Sequence, residues 1–208
     1  MNTLNDLPTF GTELEERGLE PTGHTLRLVR LVESVGLMCG LVESSITSLI
    51  HAAYLHDIGK LVMPERILTK PGQLDLKEWE IIKTHSYWSY TLAKAISGVS
   101  ETTLTTILHH HERFDGTGYP NQLRGGQIPI EARILTICDV YDTLLSQRSY
   151  SRALGIDSTL EELQRHSGTQ FDPEVVEAFL ERALGRKTGT WGQVTENLLS
   201  KTEYSTPQ

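Results

Sequence analysis

The 208-residue chain has only two cysteines, Cys39 and Cys138, too few for a disulfide framework and in keeping with a reducing compartment. No apolar run approaches the roughly 20 residues of a membrane span. The opening, Met1-Asn2-Thr3-Leu4-Asn5-Asp6, lacks both the basic flank and the apolar stretch of a signal peptide. Positive charge is scarce too. Nineteen Lys and Arg stand against 27 Asp and Glu, a net charge of -8 and a pI near 5.5, which disfavours nucleic-acid polymers. Neither a membrane nor a nucleic-acid polymer is expected as a partner, and the expected compartment is the cytoplasm. Alternating strand patterns are missing, so the expected fold is all-α. Without an internal repeat or a long linker, the length suits one domain.

What the chain does have is a series of metal-type side chains: Glu20, His24, His56-Asp57, His85, His110-His111 and Asp139. No short loop holds them all, so they point to a polynuclear site assembled from several helices.

Hydrophobic spacing supplies those helices. Residues 1–20 are polar and punctuated by Gly and Pro, and are expected to be an irregular lead or a frayed helix. Leu28, Leu31, Val32 and Val35 mark a helix from His24 to near Gly36. A second starts near Ser44 or Ser45 and delivers His56-Asp57 at its end, where Gly59 supplies a left-handed stop. Asp75 and Glu78 predict a capping box for a long helix with Ile81, His85, Trp88 and Leu92 on one face. A helix over roughly 101–111 carries Leu104, Ile107, Leu108 and His111, and Asp115 to Pro129 is a glycine-rich loop. Ala132, Leu135, Asp139 and Asp142 share a face of the next helix; Ser158 with Glu161 predicts another capping box, and Asp172-Pro173 opens a final helix. Beyond Gly185 the chain turns polar. The expected division is a lead over 1–19, one helical domain over 20–184 and a tail over 185–208.

Imidazole nitrogen and carboxylate oxygen together suit iron, manganese, zinc or related ions. Glu20 and His24, four residues apart, point the same way on a helical turn. Asp139 follows the apolar stretch Ile134-Leu135-Thr136-Ile137-Cys138, where a carboxylate is costly unless coordinated or hydrogen-bonded. Clustered cations would acidify a water and neutralise charge on a phosphoryl oxygen. Taken singly, each residue has a plainer explanation: a chance His-Asp pair, a surface patch at His110-His111, a core histidine at His85, a solvated Glu20. Their joint occurrence favours a site.

The ordered series Gly23-His24-Thr25-Leu26-Arg27, Leu55-His56-Asp57-Ile58-Gly59-Lys60, Lys70-Pro71-Gly72, Trp79 to His85, His110-Glu112-Arg113, Asp115-Gly116-Thr117-Gly118-Tyr119-Pro120, Asp139-Val140-Tyr141-Asp142, Arg148 with Tyr150, and Gly168 to Pro173 resembles the HD-GYP family of bacterial cyclic di-GMP phosphodiesterases. The resemblance implies an HD-domain helical bundle that hydrolyses cyclic di-GMP to pGpG and then GMP, with a metal-bridging hydroxide as nucleophile. It implies metal ligation by His24, His56, Asp57, His85, His110, His111 and Asp139, with Asp57 bridging. Glu20, four places before the first His, implies a third ion, so two or three divalent metals are expected. Iron or manganese comes first, with zinc or nickel in a purified sample. Lys60 takes the place of a lysine beside the metals and the substrate phosphate. Arg148 takes a phosphate-gripping place, and Gly116, Gly118 and Tyr119 would border the substrate. Many members carry a basic residue directly after Tyr150; here Ser151 stands there and Arg152 comes one step later. The short N-terminus leaves no receiver domain in the expected layout, so a signalling partner such as a diguanylate cyclase or a receiver domain is a candidate. The alternatives are an HD-fold phosphohydrolase of another cyclic dinucleotide or nucleotide, and a non-catalytic binding or adaptor protein.

Overall fold

The computed structural model describes residues 3–146 and 154–184. Within them the chain is helical: α1 (Leu7–Glu16), α2 (His24–Met38), α3 (Glu43–Leu55), α4 (Glu65–Leu68), α5 (Leu76–Lys83), α6 (His85–Lys94), α7 (Glu101–His109), α8 (Ile130–Leu145), α9 (Ile156–Arg165) and α10 (Pro173–Leu184). Short 3-10 turns cover Leu4–Asp6, Ile58–Val62 and Gly125–Gln127. No strand forms among the described residues, which show two isolated bridges. The fold is all-α, as the missing alternation implied. No described helix is long and apolar enough to cross a membrane.

The centre is α2, α3 and α8, with α7 and α10 packed around them. Leu28, Val32, Leu49, Leu55, Ile107, Ile134, Leu135 and Ile137 are fully enclosed there. The polar lead is not irregular. Residues 7–16 form α1, whose buried Leu7 and Leu14 were obscured by Pro8 and Gly11. Pro8 sits harmlessly in the first turn, and Gly11 lets α2 close in, because a Cβ there would lie 2.5 Å from Thr25 Oγ1.

Several boundaries differ from the expected ones for physical reasons. Helix α2 runs past Gly36 to Met38. It ends in a Schellman motif in which Leu41 N–H donates to the Gly36 carbonyl, Gly40 N–H donates to that of Leu37 (both 3.0 Å), and Gly40 takes φ +73°. Gly36 serves packing instead: a Cβ would meet Ile46 Cδ1 at 2.7 Å. Helix α3 begins at Glu43, one residue before the predicted start. Gly59 is not a left-handed stop; a Cβ there would lie 2.2 Å from the His85 carbonyl, so it is the point where the turn after α3 presses on α6.

The long helix expected after Asp75 is two. At the break, Thr84 Oγ1 donates to the Ile81 carbonyl (2.7 Å) and His85 Nδ1 to that of Ile82 (2.7 Å), so side chains compete with the helical ladder. Ile81 and Trp88, placed on a common core face by the spacing, are exposed. Helix α9 starts at Ile156 with Gly155 as its cap, so Ser158 lies inside the first turn rather than capping it. Asp172 Oδ1 accepts from Glu174 N–H (2.9 Å) at the start of α10.

Candidate metal centre

Helix ends deliver the donors. His24 opens α2, His56 caps α3 and Asp57 follows it; His85 opens α6; His110 and His111 follow α7; Asp139 lies within α8. They fall into two groups. Donor atoms of His24, His56 and Asp139 lie within 4.8 Å of one another, and so do those of His85, His110 and His111. Asp57 joins them, with Oδ2 3.2 Å from His56 Nε2 and Oδ1 3.2 Å from His85 Nε2. Glu20 sits at the edge of the first group, Oε2 3.9 Å from His24 Nε2, while its other oxygen pairs with Lys60. Lys60 Nζ also reaches Asp57 Oδ2 at 2.7 Å. His109 turns away and donates to the Thr105 carbonyl at 2.9 Å.

The imidazoles are aimed. Nδ1 of His56, His85 and His110 each donates to the carbonyl three residues back, at 3.0, 2.7 and 2.6 Å. A carbonyl can only accept, so these rings carry a proton on Nδ1 and aim Nε2 inward; the neutral rings of His85 and His110 offer a lone pair there. His85 Nε2 then stands 3.3 Å from His110 Nε2 and 3.0 Å from His111 Nε2. Facing lone pairs repel unless a cation lies between them. Buried His24 Nε2, His56 Nε2 and Asp57 Oδ1 have no hydrogen-bond partner among the described residues. Orphaned buried acceptors of these types fit divalent metal ions.

The charges of the protein groups differ across the centre. Burial alone would raise the Asp57 carboxyl, but the Lys60 ammonium and His56 hold it well below the usual carboxylate range. Burial would lower Lys60, yet Asp57 and Glu20 keep its ammonium above its ordinary value. Burial would likewise lower His56, but neighbouring Asp57 lifts it to about 9. His24 is raised against its burial by the hydrogen bond to Asp142 and by Glu20 and Asp139. On the other side, burial and neighbouring imidazoles push His110 and His111 well below their ordinary value, and burial lowers His85.

Residues behind the ligands were not assigned roles from sequence. Asp142 Oδ2 accepts from His24 Nδ1 at 2.7 Å, and Arg27 clamps both Asp142 oxygens at 2.6 and 3.0 Å. Thr136 Oγ1 donates to the His110 carbonyl at 2.6 Å. Buried Glu112 accepts from Asn121 N–H (2.6 Å) and Leu123 N–H (3.1 Å), holding the loop after α7. Only the i,i+3 spacings of Asp139 with Asp142 and of His24 with Arg27 hinted at this support. In that loop, a Cβ on Gly118 would lie 2.3 Å from Arg113 N, so the glycine admits the chain's own backbone. The Tyr119 ring stacks on His111, centroids 4.9 Å apart at 25°. Arg148 and Arg152 lie outside the described residues.

The family described as HD domain matches residues 2–175. This chain is an HD domain. It is 38% identical over 190 residues to 3'3'-cGAMP-specific phosphodiesterase 2 of Vibrio cholerae, covering 87% of this chain and 36% of that protein. It is 38% identical over 167 residues to a cyclic di-GMP phosphodiesterase of Thermotoga maritima, covering 80% and 45%. With the cyclic di-GMP phosphodiesterase response regulator RpfG of Xanthomonas campestris it shares 39% identity over 165 residues, 76% of this chain and 43% of that protein. The HD domain thus spans less than half the length of these curated relatives. A crystal structure of a cyclic GMP-AMP specific phosphodiesterase from V. cholerae superposes with a TM-score of 0.72 at 20% identity, covering 93% of this chain and 50% of that one, which fixes the fold. The relatives named cyclic di-GMP phosphodiesterases agree with the HD-GYP family expected from the motifs.

Proposed function

We propose that this HD domain is a metal-dependent phosphodiesterase that hydrolyses cyclic di-GMP to pGpG and onward to GMP. The observation that carries the reading is the Asp57 carboxylate, one oxygen toward each of two donor groups. Two or three divalent ions, iron or manganese by donor chemistry, would supply Lewis acidity and an acidified water there. His24, His56 and Asp139 would hold one ion and His85, His110 and His111 another, with Asp57 shared; Glu20 would serve a third.

Lys60 supplies a fixed positive charge beside Asp57, where charge grows on a phosphoryl oxygen. Asp142 and the helix carbonyls hold the imidazoles in the tautomer that offers Nε2. Gly116 and Tyr119 form the rim, with Gly118 closing the turn against Arg113 and Glu112 pinning the loop, and Arg148 and Arg152 are assigned to phosphate.

A second substrate, 3'3'-cGAMP, is favoured by the named specificity of three relatives at 38%, 34% and 33% identity. The test is anaerobic turnover of both dinucleotides by iron- or manganese-reconstituted protein, with metal content measured on the same sample. Linear product from cyclic di-GMP with two or three metals per chain is the expected result. Cleavage of 3'3'-cGAMP alone would replace the substrate, and no product from folded, metal-loaded protein would overturn the enzyme reading.

A further inference from the structure

Among the described helices of eight residues or more, α5 alone buries no side chain. It nevertheless carries a tryptophan. Trp79 is 45% exposed, an unfavourable place for an indole unless something covers it at work. The helix is held at its start rather than by burial. Asp75 Oδ1 accepts from Glu78 N–H (2.9 Å), Glu78 Oε2 accepts from Asp75 N–H (2.9 Å), and Lys70 Nζ pairs with Glu78 at 2.6 Å.

The position of the indole relative to the metal centre is specific. Its ring lies edge to face with Tyr119 at 6.5 Å and 84°. Tyr119 is already engaged, stacked on His111 and 6.4 Å from the His85 ring. One aromatic ring thus separates Trp79 from a donor imidazole, so the indole stands just outside the donors. Tyr119 fills the inner place, and Trp79 keeps open surface in the outer one.

We propose that Trp79 is a nucleobase platform, stacking one base of a cyclic dinucleotide whose phosphate lies at the donor groups. The inference rests on the function proposed above. Because every base has a π-face, stacking is tolerant of base identity. Trp79 therefore tightens binding of cyclic di-GMP and 3'3'-cGAMP alike, and discrimination between them lies elsewhere.

Three substrates separate the possibilities: cyclic di-GMP, 3'3'-cGAMP and glycerophosphoethanolamine, a base-free diester with no aromatic ring. Each is assayed with manganese-loaded wild type, Trp79→Ala and Trp79→Phe, with equilibrium binding of the dinucleotides measured alongside. Trp79→Ala is expected to raise KM and Kd for both dinucleotides about tenfold or more, with little change in kcat. Trp79→Phe should recover most of that loss, and hydrolysis of the base-free diester should be equal in all three proteins. Unchanged KM in Trp79→Ala, with the wild type active on a dinucleotide, would overturn the platform and leave the enzyme reading intact. Parallel loss on the base-free diester would overturn it too, by showing that the indole supports the site itself. A wild type that cleaves the base-free diester but neither cleaves nor binds a dinucleotide would bring down the substrate reading and the platform together.

Discussion

The two donor groups hold side chains suited to metal ions in opposite electrostatic settings. Around His24, His56 and Asp139, carboxylates dominate: Asp142, Glu20 and Asp139 raise His24, and Asp57, Asp139 and Glu20 lift His56 to about 9 against the pull of burial. Around His85, His110 and His111 there is only Asp57, and burial wins, leaving His110 and His111 neutral at ordinary pH. One side offers lone pairs at once; the other must give up a proton to the solvent before it binds. The two halves of one centre therefore need not fill alike.

The largest effect should come from removing what the halves share. Asp57→Asn keeps the shape but loses the shared charge, and turnover should fall by several kcal/mol of transition-state stabilisation, about a thousandfold. Metal content should drop with it; a variant retaining full metal and full rate would break the bridging assignment. Next is Asp142→Asn, which weakens the hold on His24 and leaves Arg27 without its anionic partner. It should weaken metal retention by about 10- to 100-fold, on the carboxylate side only, read as the loss of about one ion per chain during graded chelation.

The smallest effect sharpens the contrast by pH. With His56 pushed up to about 9 by Asp57, ion uptake by its group expels a proton and should tighten as pH rises toward 9, by about tenfold per unit for one proton. Uptake by the all-histidine group should be nearly flat over the same range. Metal titrations at pH 6.5 and 8.5, with proton release measured in parallel, test this. Two equivalents with the same pH slope would refute the asymmetry.

The donor residue types were legible before the fold because imidazoles and carboxylates at the ends of apolar helices have few other uses. What supports them was less legible. The partner of His24 lies 118 residues away, and no local pattern joins Asp142 to it. Helix ends were misjudged where one residue type serves two purposes. Gly59 suits a stop and Gly36 lies where the apolar pattern ends, whereas each lets a neighbouring segment approach. The break at Thr84 was hidden because Ile81, His85, Trp88 and Leu92 keep helical spacing through it. The apolar pattern names a face; it does not show that a carbonyl has been taken by a histidine.

The bonds that aim His56, His85 and His110 each close within four residues of chain. Each of these donors is thus a portable part: a helix end, its histidine and the carbonyl three places back. Anyone moving the centre into an unrelated bundle could transplant those three as short cassettes. His24 could not travel that way, because its aim comes from Asp142 on another helix, and so α2 and α8 would have to be moved as a pair.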